Sequence, residues 1–199
     1  MNNYDRYKNY TENQYNKRTI SVYLMKEQAD KILLPYINRI RGRRILEVGP
    51  GYGYYTRILI ELKNEVTGYD INPELGKNIG IEIIRGKASE IADNIKEKYD
   101  VVISLFMSEY LSPDELQSFI KQSCSILDTN GIFATTIFLN RGMGLLYITL
   151  ARIKRVKKFC YSERRVLDMI PKGYESNTIP LRSVFGIPLA FLLEVNKNE

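Results

Sequence analysis

The stretch from Arg44 to Thr56, RILEVGPGYGYYT, constrains the fold of this chain more than any other. Ile45, Leu46 and Val48 form an apolar, partly β-branched run suited to a strand covered on both faces, with one carboxylate, Glu47, set into it. Gly49, Gly51 and Gly53 follow at alternate positions, where a backbone without Cβ can turn tightly through positive φ and approach a ligand closely. A helix starts at Tyr54. Its unpaired N–H groups and the crevice beyond the strand's carboxyl end make a binding site by geometry.

The rest of the chain repeats this alternation. Residues 20–40 carry helical spacing that Pro35 breaks or kinks. Tyr54 to Leu62 reads as a helix, and EVTGY over Glu65 to Tyr69 as a second strand ending in Asp70, which completes a strand, turn, helix, strand unit with an acidic end. Asn72-Pro73 opens a helix, Ile81 to Arg85 is a third strand, and the turn 86–89 leads into a helix reaching Lys96. YDVVIS over Tyr99 to Ser104 is a fourth strand. Ser112, Pro113 and Glu115 mark a capped helix start, with the helix running to Leu127. Asn130-Gly131 should close that helix and Ile132 to Leu139 should be a fifth strand. Met143 to Cys160 plots as an amphipathic helix with Leu145, Leu146, Thr149, Leu150, Ile153, Val156 and Cys160 on its apolar face. Ser162 caps a short helix through Ile170, and Tyr174 to Pro180 with Pro188 to Val195 suggest an antiparallel hairpin at a sheet edge. The fold class expected is α/β, a doubly wound, seven-stranded, mostly parallel sheet with an antiparallel C-terminal hairpin.

A chain of 199 residues fits one core. The domain reading is therefore a loose N-terminal arm over 1–19, tyrosine-rich and without apolar periodicity, and a single domain over 20–199, in which 141–165 is a helical insertion or cover. The chain contains no His, which removes the usual near-neutral base and the usual metal ligand, and no metal site is expected. Cys124 and Cys160 are far apart and form no CxxC pair, so reduced thiols and a cytoplasmic location are expected. The apolar window 131–150 is interrupted by Asn140, Arg141 and glycines and does not read as a membrane span.

The glycine spacing distinguishes between cofactors. A dinucleotide fingerprint places its third glycine where this chain has Tyr54. EVGPGYG with Asp70 and YDVVIS in register resembles instead the S-adenosylmethionine-binding motif of class I methyltransferases, and the element order from 20 to 195, closing hairpin included, is similar to that family's. The resemblance implies S-adenosylmethionine as cofactor, with Glu47, Gly49, Pro50, Gly51 and Gly53 around its methionine portion and Asp70 on the ribose hydroxyls. It places Ile71 against the adenine, Ala88 and Ser89 along the other side of the base, and Ser104 and Leu105 at the sulfonium end. One position departs: Lys87 stands where many members carry an acidic residue.

The sulfonium already carries an activated methyl, so in-line positioning supplies much of the rate, and a base is needed only for an acceptor that must lose a proton. Glu109 and Tyr110 are the catalytic candidates, beside Tyr23 and the N-terminal tyrosines. The loop used by relatives for planar amines is missing near 105–109, and neither cysteine has the Pro-Cys setting of cytosine methylation. The function expected is methyl transfer to a small, apolar or amphiphilic molecule. RNA methylation is the runner-up, and a cofactor-binding module without catalysis the reading from another class. For the basic helix 143–160, covering the substrate side is the simplest role, ahead of peripheral membrane contact and of nucleic acid.

Overall fold

The computed structural model describes residues 27–153, 155–183 and 185–197. The expected arm over 1–19 and the start of the first helix lie outside them. The described elements run α1 (Gln28–Ile37), β1 (Arg44–Val48), α2 (Tyr54–Glu61), β2 (Glu65–Asp70), β3 (Ile83–Arg85), α3 (Ile91–Asn94), β4 (Tyr99–Ser104), α4 (Pro113–Ser125), β5 (Leu127–Phe138), α5 (Gly142–Ile153), α6 (Glu163–Leu167), β6 (Tyr174–Arg182) and β7 (Pro188–Lys197), with short 3₁₀ turns at Pro73–Gly76, Ala88–Glu90 and Ser108–Tyr110.

The strands form one seven-stranded sheet in the order β3-β2-β1-β4-β5-β7-β6. β1 pairs in parallel with β2 and β4, and β4 with β5, whereas β7 inserts antiparallel between β5 and β6. The expected fold class is therefore the observed one, closing hairpin included. Because the order reverses direction at β1, the crevice beyond the carboxyl ends of β1 and β4 is the topological switch point.

Period-2 alternation divides the strands' side chains between two cores. Ile45, Val101, Ile103, Ala134 and Leu192 join Leu33 of α1, Leu59 of α2 and Ile148 of α5. Leu46, Val102, Phe133 and Phe191 join Ile91 of α3, Phe119 and Ile120 of α4 and Val166 of α6. Phe119 meets Phe133 edge to face at 5.3 Å between centroids. Each such fully buried side chain contributes roughly 1.5–3 kcal/mol, so both helical layers are held by strands that read as continuous apolar runs.

Three local expectations change. α4 ends at Ser125 and β5 begins at Leu127, so Asn130-Gly131 lies inside the strand and closes no helix. Asn130 takes φ 59° there, and the register against β4 jumps from Tyr99 opposite Leu127 to Val101 opposite Ile132. The same positive-φ residue that serves a helix C-cap serves a strand bulge, and the pairing with β4 decides between them. The strand expected over 81–85 shortens to Ile83–Arg85, and the helix expected to Lys96 becomes a 3₁₀ turn followed by the four residues of α3.

The largest change concerns 143–160. α5 stops at Ile153, Arg155 turns back with φ 60°, and residues 156–160 form no helix or strand before Tyr161 bridges Leu139. Its inward residues are Gly144, Ile148 and Ala151, while Leu145, Leu146, Leu150 and Ile153 are exposed. The apolar face expected to be buried thus points outward. The cause is Gly144, where an added Cβ would lie 2.3 Å from the Leu189 carbonyl and 2.4 Å from that of Leu139. Small residues let the helix axis approach the sheet end, and the leucines turn away.

Candidate functional site

The site is built from strand ends. β1 delivers Glu47 into the core at 4% exposure and then enters the glycine turn. Gly49, Gly51 and Gly53 take φ of 77°, 54° and 76°, and Gly53 in this left-handed conformation is the residue from which α2 starts. The turn is held by Gly49 N–H donating to Tyr69 O at 2.8 Å and Gly53 N–H to Pro50 O at 2.9 Å. A Cβ on Gly49 would meet Met107 Cγ at 2.6 Å, whereas one on Gly51 would meet nothing within 4 Å. Gly51 therefore faces open space, the cradle expected of a backbone that approaches a ligand.

Asp70 closes β2. It is 9% exposed, and its carboxylate accepts the Asn72 N–H at 2.8 Å. Burial raises its pKa, with the N–H groups of Asn72, Gly51 and Ile71 opposing that shift. Burial likewise pushes Glu47 up to about 7, against the Thr56 hydroxyl and with the Asp70 charge adding to it. Glu47 Oε2 and the Ser104 hydroxyl are buried without a hydrogen-bond partner among the described residues. A buried carboxylate oxygen left this way invites a donor from a ligand.

A cavity of about 450 Å³ opens beside these strand ends. Its walls bring together Gly49, Asp70, Ile71, Ala88, Ser89 and Tyr110 from the residues singled out in the sequence. Ile71 is 52% exposed and offers an apolar surface. Glu47, Pro50, Gly51, Gly53, Ser104, Leu105 and Glu109 do not line this cavity. Lys87 does, at its rim, paired with Glu90 at 3.1 Å across the solvent. Met107, Leu111, Arg155, Val156, Lys157 and Phe159 also line it, supplied by the loop after β4 and by the segment after α5.

The model of the methyltransferase domain, a family defined at the sequence level, matches residues 46–135, the segment that carries the glycine turn, Asp70 and β4. Over that segment the chain is similar to the methyltransferase domain, and its glycine turn and sheet order resemble those of class I S-adenosylmethionine-dependent methyltransferases. It is similar to the ubiquinone biosynthesis O-methyltransferase of Proteus mirabilis (strain HI4320), with 28% identity over 143 residues covering 66% of this chain and 52% of that protein. The chain thus spans about half the length of this curated relative. In structure it resembles magnesium protoporphyrin IX methyltransferase from Synechocystis PCC 6803 with bound S-adenosylhomocysteine, at a TM-score of 0.73 and 14% identity over 98% of this chain and 94% of that one. The 1,6-didemethyltoxoflavin-N1-methyltransferase of Burkholderia thailandensis superposes with a TM-score of 0.67 and 13% identity over 96% and 87% of the two chains. At such identities the structural likeness is one of fold.

S-adenosylmethionine, the cofactor that the resemblance implies, fits the residues present. The open Cβ direction at Gly51, the orphaned Glu47 oxygen and the strand-end carboxylate of Asp70 are the features that a ribose and a cationic amino-acid tail require.

Behind the Tyr110 wall lies a cluster that sequence reasoning treated only as part of a basic helix face. Lys158 is 1% exposed, and its Nζ donates to Glu109 Oε1 at 3.3 Å and to the Tyr147 hydroxyl. The same Nζ sits 4.6 Å from the Tyr110 ring centroid and 4.4 Å from that of Tyr147. Phe159 N–H donates to the Glu109 carbonyl at 2.7 Å, which ties the segment to the loop after β4. Burial raises the Glu109 pKa and Lys158 counters that. No signal in the sequence joins positions 109 and 158. Among the described residues there is no group of side chains that could hold a metal.

Proposed function

We propose that this protein moves the methyl group of S-adenosylmethionine onto a small, apolar or amphiphilic acceptor. The observation that carries the reading is the cavity in which Asp70 and Gly49 meet an apolar wall of Met107, Leu111, Val156 and Phe159. The names of the similar proteins support it, since a porphyrin, a toxoflavin precursor and a ubiquinone precursor are small ring systems. RNA methylation is less well supported, because none of the similar proteins reported above acts on RNA by its name. Free Cys124 and Cys160 are consistent with the cytoplasm.

The bound sulfonium supplies an activated methyl and a neutral leaving group. The chain's own residues then have to orient it. Asp70 accepts the ribose hydroxyls, Ile71 and the Ala88-Ser89 turn hold the adenine from two sides, and Glu47 with the backbone of Gly49, Pro50, Gly51 and Gly53 holds the amino-acid tail. Ser104 and Leu105 back the sulfonium end. Tyr110, on the cavity wall, is the group placed to touch an acceptor. Glu109, 3% exposed and bonded to Lys158, acts through its neighbours as a positioning residue.

Calorimetry with S-adenosylhomocysteine tests the cofactor, with Gly51→Val and Asp70→Ala expected to weaken binding at least tenfold. Transfer of labelled methyl into a cell extract separated into lipid, small-molecule and RNA pools tests the acceptor. Label in the small-molecule or lipid pool supports the reading; label confined to RNA replaces it.

A further inference from the structure

Leu145, Leu146, Leu150 and Ile153 lie on the outward side of α5 and are between 45% and 73% exposed. This surface continues onto the β6–β7 turn. Gly142, at the start of α5, packs so closely on the start of β7 that an added Cβ would lie 3.1 Å from Ile187 Cγ2. Ile187 and Phe185 in that turn are themselves 38% and 74% exposed. Six of the nine large hydrophobic side chains exposed among the described residues thus cluster at one end of the molecule. β7 begins opposite the carboxyl end of β5, with Ala190 paired to Phe138, so this end is the edge of the sheet at which the glycine turn and Asp70 also lie. Apolar patches of this kind on a monomer mark interaction surfaces.

Charge states what covers it. Residues 140–162 contain six Lys and Arg and no Asp or Glu, as many positive charges as the net +6 of the whole chain. Arg141 and Arg152 are exposed at the start and end of α5, the exposed Arg155 and Lys157 follow it at the cavity, and Arg182 flanks the turn. A second copy related by a two-fold axis would bring Arg141 and Arg152 against their own copies, and residues 140–162 supply no carboxylate to pair them. A nucleic acid would meet the cations but leave four aliphatic side chains on an aqueous interface, with no stacking platform on α5. An anionic lipid surface satisfies both parts, taking the leucines into the acyl boundary and the cations at the headgroups. α5 has only 12 residues and no helix of the described residues is long and apolar enough to cross a membrane, so contact is peripheral.

We propose that α5 and the β6–β7 turn form a docking surface for an anionic bilayer, which sets the acceptor side of the cavity against the membrane. Its purpose rests on the reading of an apolar or amphiphilic acceptor, which would be taken from the lipid phase. Lys158 belongs to the buried pair with Glu109 and makes no part of the surface.

The test is co-sedimentation of the full chain with vesicles of phosphatidylcholine alone or mixed equally with phosphatidylglycerol, beside S-adenosylhomocysteine calorimetry on the same preparations. Binding is expected to the mixed vesicles, at least tenfold weaker to phosphatidylcholine and weakened by raised salt. Leu150→Glu with Ile153→Glu should reduce it tenfold or more while leaving the thermal midpoint and the calorimetric affinity unchanged. Phe185→Glu, on a separate element, should do the same. Failure to bind mixed vesicles at low salt overturns the proposal, as does binding indifferent to both variants. A concentration-dependent dimer that these variants abolish assigns the face to a second copy, and tighter binding of a single-stranded RNA, insensitive to the leucine substitutions, assigns it to nucleic acid; each overturns the proposal. Normal calorimetry with absent vesicle binding leaves the methyltransferase reading standing.

Discussion

Lys158 Nζ lies 3.3 Å from Glu109 Oε1, and the two side chains are 1% and 3% exposed. The pair joins the segment after α5 to the loop after β4 and stands behind Tyr110 on the cavity wall. Removing one partner leaves a buried charge without compensation. Lys158→Met is therefore expected to destabilise the protein by about 3–5 kcal/mol. Adding Glu109→Gln to it should recover most of that loss. Urea denaturation of the two single variants and the double variant measures the coupling, and a loss under about 1 kcal/mol for Lys158→Met would show the pair to be solvated.

Glu47 makes both stability and affinity depend on pH. Its carboxyl stays protonated in the folded protein up to about 7, against 4.5 when unperturbed. As pH rises through that window, the unfolded chain ionises first, so the stability this group contributes is present in full below the window and lost by its upper end. The loss is on the order of 3 kcal/mol, and Glu47→Gln should remove its share of the pH slope. A cationic amino-acid tail favours the ionised form, so S-adenosylhomocysteine affinity is expected to fall as pH drops below about 7 in the native protein and to stay flat in Glu47→Gln. Calorimetry between those pH limits reads this directly.

Asp70→Asn separates ligand binding from folding. The amide oxygen can still accept the Asn72 N–H, and the raised pKa of Asp70 means that little stability rests on its charge. Losing charge-assisted hydrogen bonds to a ribose costs roughly 1.5–3 kcal/mol, about 10–100-fold in affinity. Unchanged S-adenosylhomocysteine binding by Asp70→Asn, with a normal thermal midpoint, would remove Asp70 from the ribose site.

The glycines of the turn should differ from one another. Gly49→Ala combines a φ of 77° with a Cβ 2.6 Å from Met107 Cγ, so it is expected to lower stability by more than the roughly 1–2 kcal/mol of left-handed strain alone. Gly51→Ala has the strain without the clash, and its added methyl points into open space. Its stability loss should be the smaller and its effect on S-adenosylhomocysteine binding the larger. Paired melting curves and calorimetry on both variants check the inversion.

The parts legible in the sequence were those fixed by local rules. Apolar runs at 45–48, interrupted only by Glu47, and at 101–103 announced two-sided strands, and the glycine turn with Asp70 announced the switch point where half of the cavity stands. Ser112 with Glu115 announced a helix start, and the structure has that capping box. What misled was α5, where helical periodicity put Leu145, Leu146, Leu150 and Ile153 on one face but carried the helix past Ile153 to Val156 and Cys160 and could not say which way that face turned. Asn130 misled for the same reason, since a left-handed residue suits a helix end and a bulge equally.

By itself the sequence determined the order of elements, the glycine turn at the strand end and the resemblance to a family, because backbone conformation at a glycine and burial along a strand are properties of a few neighbouring residues. Tertiary structure decided the outward leucines of α5, the burial of Lys158 against Glu109 and the part of the cavity lining that follows α5. These depend on how closely Gly144 approaches Leu139 and Leu189, and on contacts across 49 residues of chain. Such distances arise only when the whole sheet is assembled, so no local pattern records them.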